Sequence, residues 1–189
     1  MARWEPDASR RLAHAALELF AERGYDDTTV LDIAQRAGLA KSTFFRHFQD
    51  KREVLFGEDA LTGPVVAAIA EAPAGATPLE AVALGIDALG GTVFTPAHHA
   101  FSVRRRAVIE AHPDLQEREA LKGISLTASI ARALVRRGVP VLTARVAAEL
   151  FALALKVTYE RWSEVDNTDE YGDLARQTLS EVQAAVPAV

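Results

Sequence analysis

Apolar residues recur at helical spacing along most of the chain, and the clearest run lies between residues 28 and 55. Thr29 can cap a first short helix there, with the Asp32 carboxylate in the positive first turn. Gly38 can end that helix in a left-handed turn, and a second helix begins near Lys41. The pattern therefore predicts a helix-turn-helix. The apolar stripe of its first helix follows i, i+3, i+4, i+7 and consists of Val30, Ile33, Ala34 and Ala37.

The second helix of this pair has an aromatic side and a polar side. At about 100° per residue, Phe44 and Phe48 lie on one side, and Ser42 and Arg46 lie opposite. Two aromatic rings in a core would leave a short basic face in solvent, as in a recognition helix whose first residues meet base edges in the major groove. An ordinary helical hairpin with a solvated face is the alternative interpretation of this pattern.

Start and stop signals divide the rest of the chain into further helices. A first helix is expected over about residues 8–23, after an unstructured segment 1–7. A fourth begins at the cap Asp50, with Glu53 completing a capping box, and Gly63-Pro64 kinks or ends it. The Gly90-Gly91 pair is expected to interrupt a later helix. Further starts and stops are marked by Thr77-Pro78, Thr95-Pro96, Pro113 and Arg136-Arg137-Gly138.

The helix expected over about residues 142–165 departs from the amphipathic pattern. Between residues 146 and 157 only Glu149 and Lys156 are charged, and apolar residues cover every direction. Because a helix that is apolar all round must bury a second face, we expect one side to meet its own domain and another to meet a partner. The sequence leaves open which side meets the partner. A last helix is expected over residues 170–185.

Composition and charge narrow the class of protein. The chain of 189 residues is 49% apolar, which supports a sizeable core, and it has no cysteine, which excludes disulfides and thiolate chemistry. Residues 1–56 carry nine Lys and Arg against nine Asp and Glu, whereas residues 57–189 carry twelve against seventeen. Four cations and one Asp lie between Lys41 and Arg52, so the predicted DNA-contacting stretch is basic although the chain as a whole is acidic. With no apolar leader and no stretch of membrane-spanning length, we expect a cytoplasmic protein with no membrane partner.

Residues 12–56 resemble the DNA-binding domain of TetR-family regulators. In that family a helix ends in a Phe, followed by a few residues and a Gly-aromatic pair; the matching stretch here is Leu19-Phe20-Ala21-Glu22-Arg23-Gly24-Tyr25. The family's recognition helix usually reads Thr-hydrophobic-Tyr-x-His-Phe with a later Lys. The matching residues are Thr43-Phe44-Phe45-Arg46-His47-Phe48 and Lys51. Phe45 stands where the family most often has Tyr, so a phosphate hydrogen bond expected from that hydroxyl is absent.

This resemblance implies an all-α fold of about nine helices. A three-helix DNA-binding domain would occupy residues 1–56, and a helical effector-binding and dimerisation domain residues 57–189. It implies a sequence-specific homodimeric regulator, a repressor released from a palindromic operator by a small molecule, that dimerises through its last two helices. A helical carrier or enzyme using the same cavity is the alternative. The DNA-binding candidates are Thr29, Lys41, Ser42, Thr43, Phe45, Arg46, His47 and Lys51.

The chain shows no motif for catalysis or for a cofactor. A Gly-rich phosphate loop, a Gly-x-Ser-x-Gly elbow and a His-Glu-x-x-His pair are all absent from the sequence, so we predict no catalytic residue, no metal ligand and no cofactor. Adjacent His98 and His99 point about 100° apart on a helix and cannot face one metal together. The candidates for an effector pocket are Phe94, His98, Phe101, Arg105, Tyr159 and Trp162.

Three consecutive arginines at positions 104–106 have two interpretations. They form either a solvated cationic patch, paired with Glu110 or with Glu117 and Glu119, or an anion contact at the mouth of the effector pocket. Residues 104–118 are also similar to a stretch in a TetR subgroup that includes regulators answering acyl-coenzyme-A-like ligands. That similarity implies an acyl-coenzyme-A-like effector as one candidate class.

Overall fold

The computed structural model describes residues 8–57 and 60–185 of the chain. Within these ranges the chain forms nine α-helices, two short 3-10 turns and no strand, so the predicted all-α class is confirmed. The prediction for residues 1–7 lies outside the described residues. The helices are α1 Ala8–Arg23, α2 Val30–Arg36, α3 Lys41–His47, α4 Thr62–Glu71, α5 Pro78–Thr92, α6 His99–Ala111, α7 Pro113–Arg136, α8 Val141–Trp162 and α9 Tyr171–Ala185. The 3-10 turns are Arg52–Leu55 and Pro96–His98.

The described residues divide into two compact units. The first contains residues 8–57 together with residues 104–119, and the second contains residues 60–103 together with residues 120–185. The predicted boundary after residue 56 follows chain order and stays a prediction. The segment 104–119 belongs to the first unit through contacts such as the ion pair between Arg118 and Glu53.

The helix-turn-helix forms as its start and stop signals predict. Thr29 caps α2 by accepting a hydrogen bond from the Asp32 N–H, and the Asp32 carboxylate accepts one from the Thr29 N–H at 2.9 Å. Gly38 follows α2 with φ +67°, a left-handed conformation that favours glycine. Ile33, Ala34 and Ala37 are buried, as their spacing predicts.

The predicted fourth helix is wrong in its extent. Asp50 does cap a helical turn, accepting hydrogen bonds from the N–H groups of Arg52 and Glu53, but only the 3-10 turn Arg52–Leu55 follows. The Glu53 carboxylate, which the sequence places in a capping box, forms an ion pair with Arg118. Gly57, with φ +59°, ends the turn, and α4 starts anew at Thr62.

The predicted break at Gly90-Gly91 is also wrong, because α5 continues through both residues to Thr92. A Cβ atom at Gly90 would lie 3.2 Å from Cδ1 of Tyr171 and 3.8 Å from the backbone N of Gly172, both at the start of α9. The absence of a side chain at Gly90 therefore allows α5 and α9 to pack closely, and the sequence pattern alone does not distinguish such a glycine from one that ends a helix.

The core of the second unit is built from α4, α5, α7, α8 and α9. Its largest fully buried side chains include Phe151 on α8 and Tyr171 on α9. The helix predicted over 142–165 ends earlier, at Trp162, where the Ser163 N–H donates to the Arg161 and Tyr159 carbonyls. Val165 lies beyond this end and is exposed.

Candidate nucleic-acid interface

Two aromatic rings hold α3 in the first unit. Phe44 and Phe48 are 0% and 4% exposed, and their ring centroids lie 5.4 Å apart. The Phe48 N–H donates to the Phe44 carbonyl, so the second ring comes directly after the last helical turn. The predicted aromatic side of the helix is therefore buried, which fixes the opposite side toward solvent.

The outward side of α3 combines cations, a hydroxyl and one exposed aromatic ring. Lys41, Ser42 and Arg46 are exposed, and Phe45 keeps 51% of its surface in solvent. The Lys41 ammonium lies 5.9 Å from the Phe45 ring centroid. An exposed phenyl beside a cation can pack against the sugar-phosphate backbone while the cation meets a phosphate. Thr43 and His47 are half-buried at the flanks of this side.

Thr29, predicted from the sequence as a DNA contact, also has a structural role at the start of α2. Its hydroxyl donates to the Asp32 carboxylate and also accepts from the Asp32 N–H at 3.2 Å. The hydrogen bonds from the Thr29 side chain and backbone lower the pKa of the Asp32 carboxyl. Thr29 is exposed at the N-terminus of α2, so its first role is to cap this helix.

Lys51 is directed at the loop between α1 and α2. Its ammonium donates to the Tyr25 carbonyl at 2.6 Å and to the Asp26 carbonyl at 3.4 Å, and it lies 4.1 Å from the Tyr25 ring centroid. Burial lowers the pKa of Lys51, while the nearby carboxylates of Asp26 and Asp27 act in the opposite direction. The sequence predicts that Lys51 contacts a DNA phosphate, and the structure shows that its ammonium also holds the loop between α1 and α2 by hydrogen bonds.

Two arginines that sequence periodicity did not single out tie α1 to α2. Arg11 on α1 donates to the carbonyl of Ala37, the C-cap residue of α2. Arg36 on α2 forms a two-pronged ion pair with Glu22 on α1, with N–O distances of 2.9 and 2.7 Å. These contacts join residues 14 and 26 positions apart, so no local spacing could reveal them.

Three of the candidate effector residues, Phe94, Tyr159 and Trp162, meet in an aromatic cluster of the second unit. The Phe94 ring lies 5.5 Å from Tyr159, 5.6 Å from Trp162 and 4.5 Å from Tyr171, centroid to centroid. Tyr171 was missed by sequence reasoning, because it lies outside the helix that carries the other two rings. His99 approaches the Trp162 carbonyl, with Nε2 2.9 Å from the oxygen.

The remaining candidates for an effector pocket have other contacts. His98 Nδ1 lies 3.1 Å from both the Thr95 hydroxyl and the Val93 carbonyl, and Phe101 is half-buried on α6. Arg105 belongs to the first unit, where it donates to the Leu55 carbonyl at 2.7 Å.

The arginines at positions 105 and 106 form ion pairs. Arg105 pairs with Glu119 at 3.0 Å, and Arg106 pairs with Glu110 at 2.7 Å. These contacts support the interpretation of a paired cationic patch over that of a ligand contact. Among the described residues no helix is both long and apolar enough to cross a membrane.

Comparison with known proteins extends the likeness beyond the motif. The family model described as bacterial regulatory proteins, tetR family, matches residues 12–57. The HTH-type transcriptional regulator TcmR of Streptomyces glaucescens is 42% identical over 84 residues, which are 44% of this chain and 37% of TcmR. HbdR of Aromatoleum sp. (strain CIB), also an HTH-type transcriptional regulator, is 39% identical over 46 residues, covering 24% of this chain and 20% of HbdR. The aligned stretches therefore span well under half of these relatives.

Solved structures cover nearly the whole chain. The TetR family transcriptional regulator PfmR from Thermus thermophilus is 26% identical, with a TM-score of 0.51 over 92% of this chain and 96% of PfmR. FadR of Thermus thermophilus, a TetR family repressor solved with lauroyl-CoA, shares the fold at 22% identity and a TM-score of 0.50, over 93% of each chain. The matched family model and the helix-turn-helix geometry show that residues 12–57 form the DNA-binding domain of the tetR family of bacterial regulatory proteins, and the chain as a whole has the fold of TetR family structures.

Proposed function

We propose that this protein is a transcriptional regulator that binds a palindromic site in double-stranded DNA as a homodimer. The observation that carries the proposal is the build of α3. Phe44 and Phe48 fix one side in the core, so Ser42, Phe45 and Arg46 project from the other. An α-helix with its side chains is about 10–12 Å in diameter, and the major groove is about 12 Å wide, so α3 fits the groove with this side toward the bases.

The proposed division of labour on this surface follows from side-chain type. Arg46 has a planar fork of donors that can meet a guanine edge, so it is the candidate for reading sequence. Lys41 and the half-buried Lys51 present single ammonium groups that suit phosphates at either end of the helix. Phe45 would pack its exposed ring on the backbone, since it has no hydroxyl to donate.

The test is selection of bound fragments from random DNA, followed by affinity measurement on the selected site. Arg46→Ala should cost about 1–3 kcal/mol on that site and relax the preference at one position. Arg176→Ala, which removes an exposed arginine from α9 in the other unit, is the matched control and should bind as the wild type does. Unchanged affinity and preference in Arg46→Ala would remove this residue from the reading surface. A helical carrier or enzyme would select no sequence at all.

We also infer that the regulator is a repressor released by a small molecule bound in the second unit. Ligand binding would favour a spacing of the two recognition helices that no longer matches half-sites one helical turn apart. The support is the aromatic cluster of Phe94, Tyr159, Trp162 and Tyr171, whose apolar faces suit an apolar ligand group. Because these rings pack against one another, a ligand that binds among them would have to displace at least one ring.

The proposed effector class is an acyl-coenzyme-A-like thioester. Its support is the sequence similarity of residues 104–118 to a regulator subgroup, together with the lauroyl-CoA bound by the FadR structure of the same fold. Titrating lauroyl-CoA against the complex of protein and selected DNA tests this class. Release of DNA should weaken in Tyr159→Ala, which enlarges the site and removes a ring. Failure of every acyl chain length to release DNA would exclude the class while leaving the DNA-binding proposal intact.

A further inference from the structure

The start of α3 is held by little besides the turn that precedes it. Phe44 and Phe48 fix the later part of this helix in the core. Among its first three residues, Lys41–Thr43, no side chain is buried, and the N-cap residue Ala40 has no side chain that could cap them. The first residues of a recognition helix are those that meet base edges, so their position depends on the turn between α2 and α3.

The backbone groups of this turn leave one buried carbonyl to be satisfied. The Gly38 N–H donates to the Gln35 carbonyl at 2.9 Å. The Leu39 N–H donates to the Ala34 carbonyl at 2.8 Å. In the described part of the chain, no backbone N–H of a turn, loop or cap donates to the carbonyl of Ala37, a residue that is 8% exposed. Because a buried carbonyl without a donor is destabilising, this group needs a donor from elsewhere.

Arg11 on α1 supplies that donor. Its side chain is half-buried, and Nη2 donates to the Ala37 carbonyl. The bond holds the peptide group between Ala37 and Gly38, whose orientation follows from ψ −6° at Ala37 and φ +67° at Gly38. A Cβ atom at Gly38 would lie 3.1 Å from Nη2 of Arg11, so the glycine also leaves room for the guanidinium. Two torsion angles that direct the chain from α2 into α3 are therefore held from α1.

Arg36 also ties α2 to α1, but at a different kind of contact. Its guanidinium lies 2.7 Å from a carboxylate oxygen of Glu22 and 3.4 Å from one of Glu18, both largely exposed side chains of α1. These ion pairs join the body of α2 to α1 and leave the torsion angles of the turn free. Arg36 is therefore the matched control for Arg11, since both arginines connect the same two helices.

A small change of angle at the turn is enough to affect base reading. Because α3 has seven residues and is about 10 Å long, a rotation of about 10° around its middle moves each end by about 1 Å. Hydrogen bonds keep their strength over a range of only about 0.5 Å in donor–acceptor distance. Such a rotation would break a two-pronged contact of Arg46 with a base edge, whereas the flexible stem of a lysine can still reach a phosphate.

We infer that Arg11 is a positioning residue for sequence reading. By holding the Ala37 carbonyl it sets the angle between α2 and α3, and through that angle it places Arg46 in the major groove. The inference rests on the proposed DNA-binding function and adds to it a determinant of sequence preference that does not itself contact DNA.

The angle can be measured without DNA, from residual dipolar couplings of the backbone N–H groups of α2 and α3. Arg11→Met keeps an aliphatic stem and removes the donors, so the angle should change by about 10° or more, the rotation that displaces Arg46. Arg36→Met should keep the wild-type angle. An unchanged angle in Arg11→Met, or an equal change in both variants, overturns the inference.

Helicity measured by circular dichroism checks that these variants are folded. Should Arg11→Met fail to fold, Arg11→Gln takes its place with the same expected change of angle. Glutamine keeps a polar end, but its side chain is too short to reach the carbonyl that Arg11 holds.

DNA binding separates positioning from the two simpler roles of an arginine. Affinity of Arg11→Met for the selected site should fall at least about tenfold, the effect of losing a base contact. Its affinity for unrelated DNA and the slope of binding with salt should stay as in the wild type, because the phosphate contacts are retained. An equal loss on both DNAs would mean that Arg11 only keeps the domain folded. A fall of about one unit in the salt slope would mean that Arg11 contacts a phosphate itself. Either result overturns the inference.

A double-mutant cycle tests whether Arg11 acts through Arg46. In the Arg46→Ala background, Arg11→Met should cause no further loss of discrimination at the base that Arg46 reads, because the side chain to be placed is gone. Additive losses at that base overturn this route. If the wild type selects no DNA sequence, the proposed function fails, and the angle measured without DNA still decides whether Arg11 sets the direction of α3.

Discussion

Removing the charge of Lys51 should destabilise the first unit, and the geometry sets the size of the effect. The ammonium donates to the carbonyls of Tyr25 and Asp26 and lies 4.1 Å from the centre of the Tyr25 ring. It therefore holds the loop that leads from α1 into the helix-turn-helix. The variant Lys51→Met keeps most of the aliphatic stem and removes only the charged end.

The magnitude follows from three contributions. A hydrogen bond made by a charged donor is worth about 1.5–3 kcal/mol, and the 3.4 Å contact adds little. The position over the ring contributes about 0.5–1 kcal/mol. Burial of the ammonium opposes both, as the lowered pKa of Lys51 shows. We expect a net loss of about 1–3 kcal/mol in the free energy of unfolding of this unit, given these contributions.

Hydrogen exchange is the assay, because it reports the opening of this unit separately from the rest. Amides of α2 should exchange faster in Lys51→Met, in proportion to the lost free energy. Lys41→Met is the matched control: it removes an exposed cation from the same surface, and exchange should not change. If the amides of α2 exchange at the wild-type rate in Lys51→Met, the stabilising role of the Lys51 ammonium is refuted. The sequence-based prediction of a phosphate contact is tested independently, by a fall of about one unit in the salt dependence of DNA binding.

Two further predictions concern packing and pH. Gly85→Ala should have a free energy of unfolding about 1–3 kcal/mol lower than Gly91→Ala, although both substitutions gain the same helix propensity. A Cβ atom at position 85 would lie 2.9 Å from Cγ1 of Val65, whereas a Cβ atom at position 91 would have no neighbour within 4 Å. Equal stabilities of the two variants in urea would contradict this prediction. Burial raises the pKa of Tyr25 to about 12, so the folded state holds this proton more tightly than the unfolded state, and stability should fall as pH rises from about 10 to about 12. Tyr25→Phe should flatten this part of the pH profile, and an unchanged slope would refute the assignment.

Local signals were sufficient for the helix-turn-helix. The Thr29 cap, the Gly38 stop and the Phe44 and Phe48 spacing each depend on residues within one or two turns, and all three are observed. Predictions fail where a long-range contact competes with a local one. The Glu53 carboxylate, expected only to cap a local helix, forms an ion pair with Arg118, far along the chain.

The candidate DNA surface could be predicted in part. Exposure of Ser42, Phe45 and Arg46 follows from helical periodicity, once Phe44 is assigned to the core. The direction of the Lys51 ammonium does not, because its acceptors lie 25 and 26 positions earlier in a loop without periodicity. Arg11 illustrates the same limit, since its acceptor is a main-chain carbonyl and any residue type could supply it.

The distribution of side-chain size on α8 bears on why the chain would form a dimer. The inward side consists largely of small residues, among them Ala144, Ala147 and Ala148, although Phe151 and Trp162 are also buried there. The large aliphatic residues of the first half of the helix stand on the outward side. A monomer would be more stable with the opposite arrangement, because burying a large aliphatic side chain contributes roughly 1.5–3 kcal/mol whereas exposing it contributes nothing. Small inward residues let α8 approach its own core closely, and large outward residues supply apolar surface that only a partner can bury. The composition of this helix is therefore what the proposed homodimer would require.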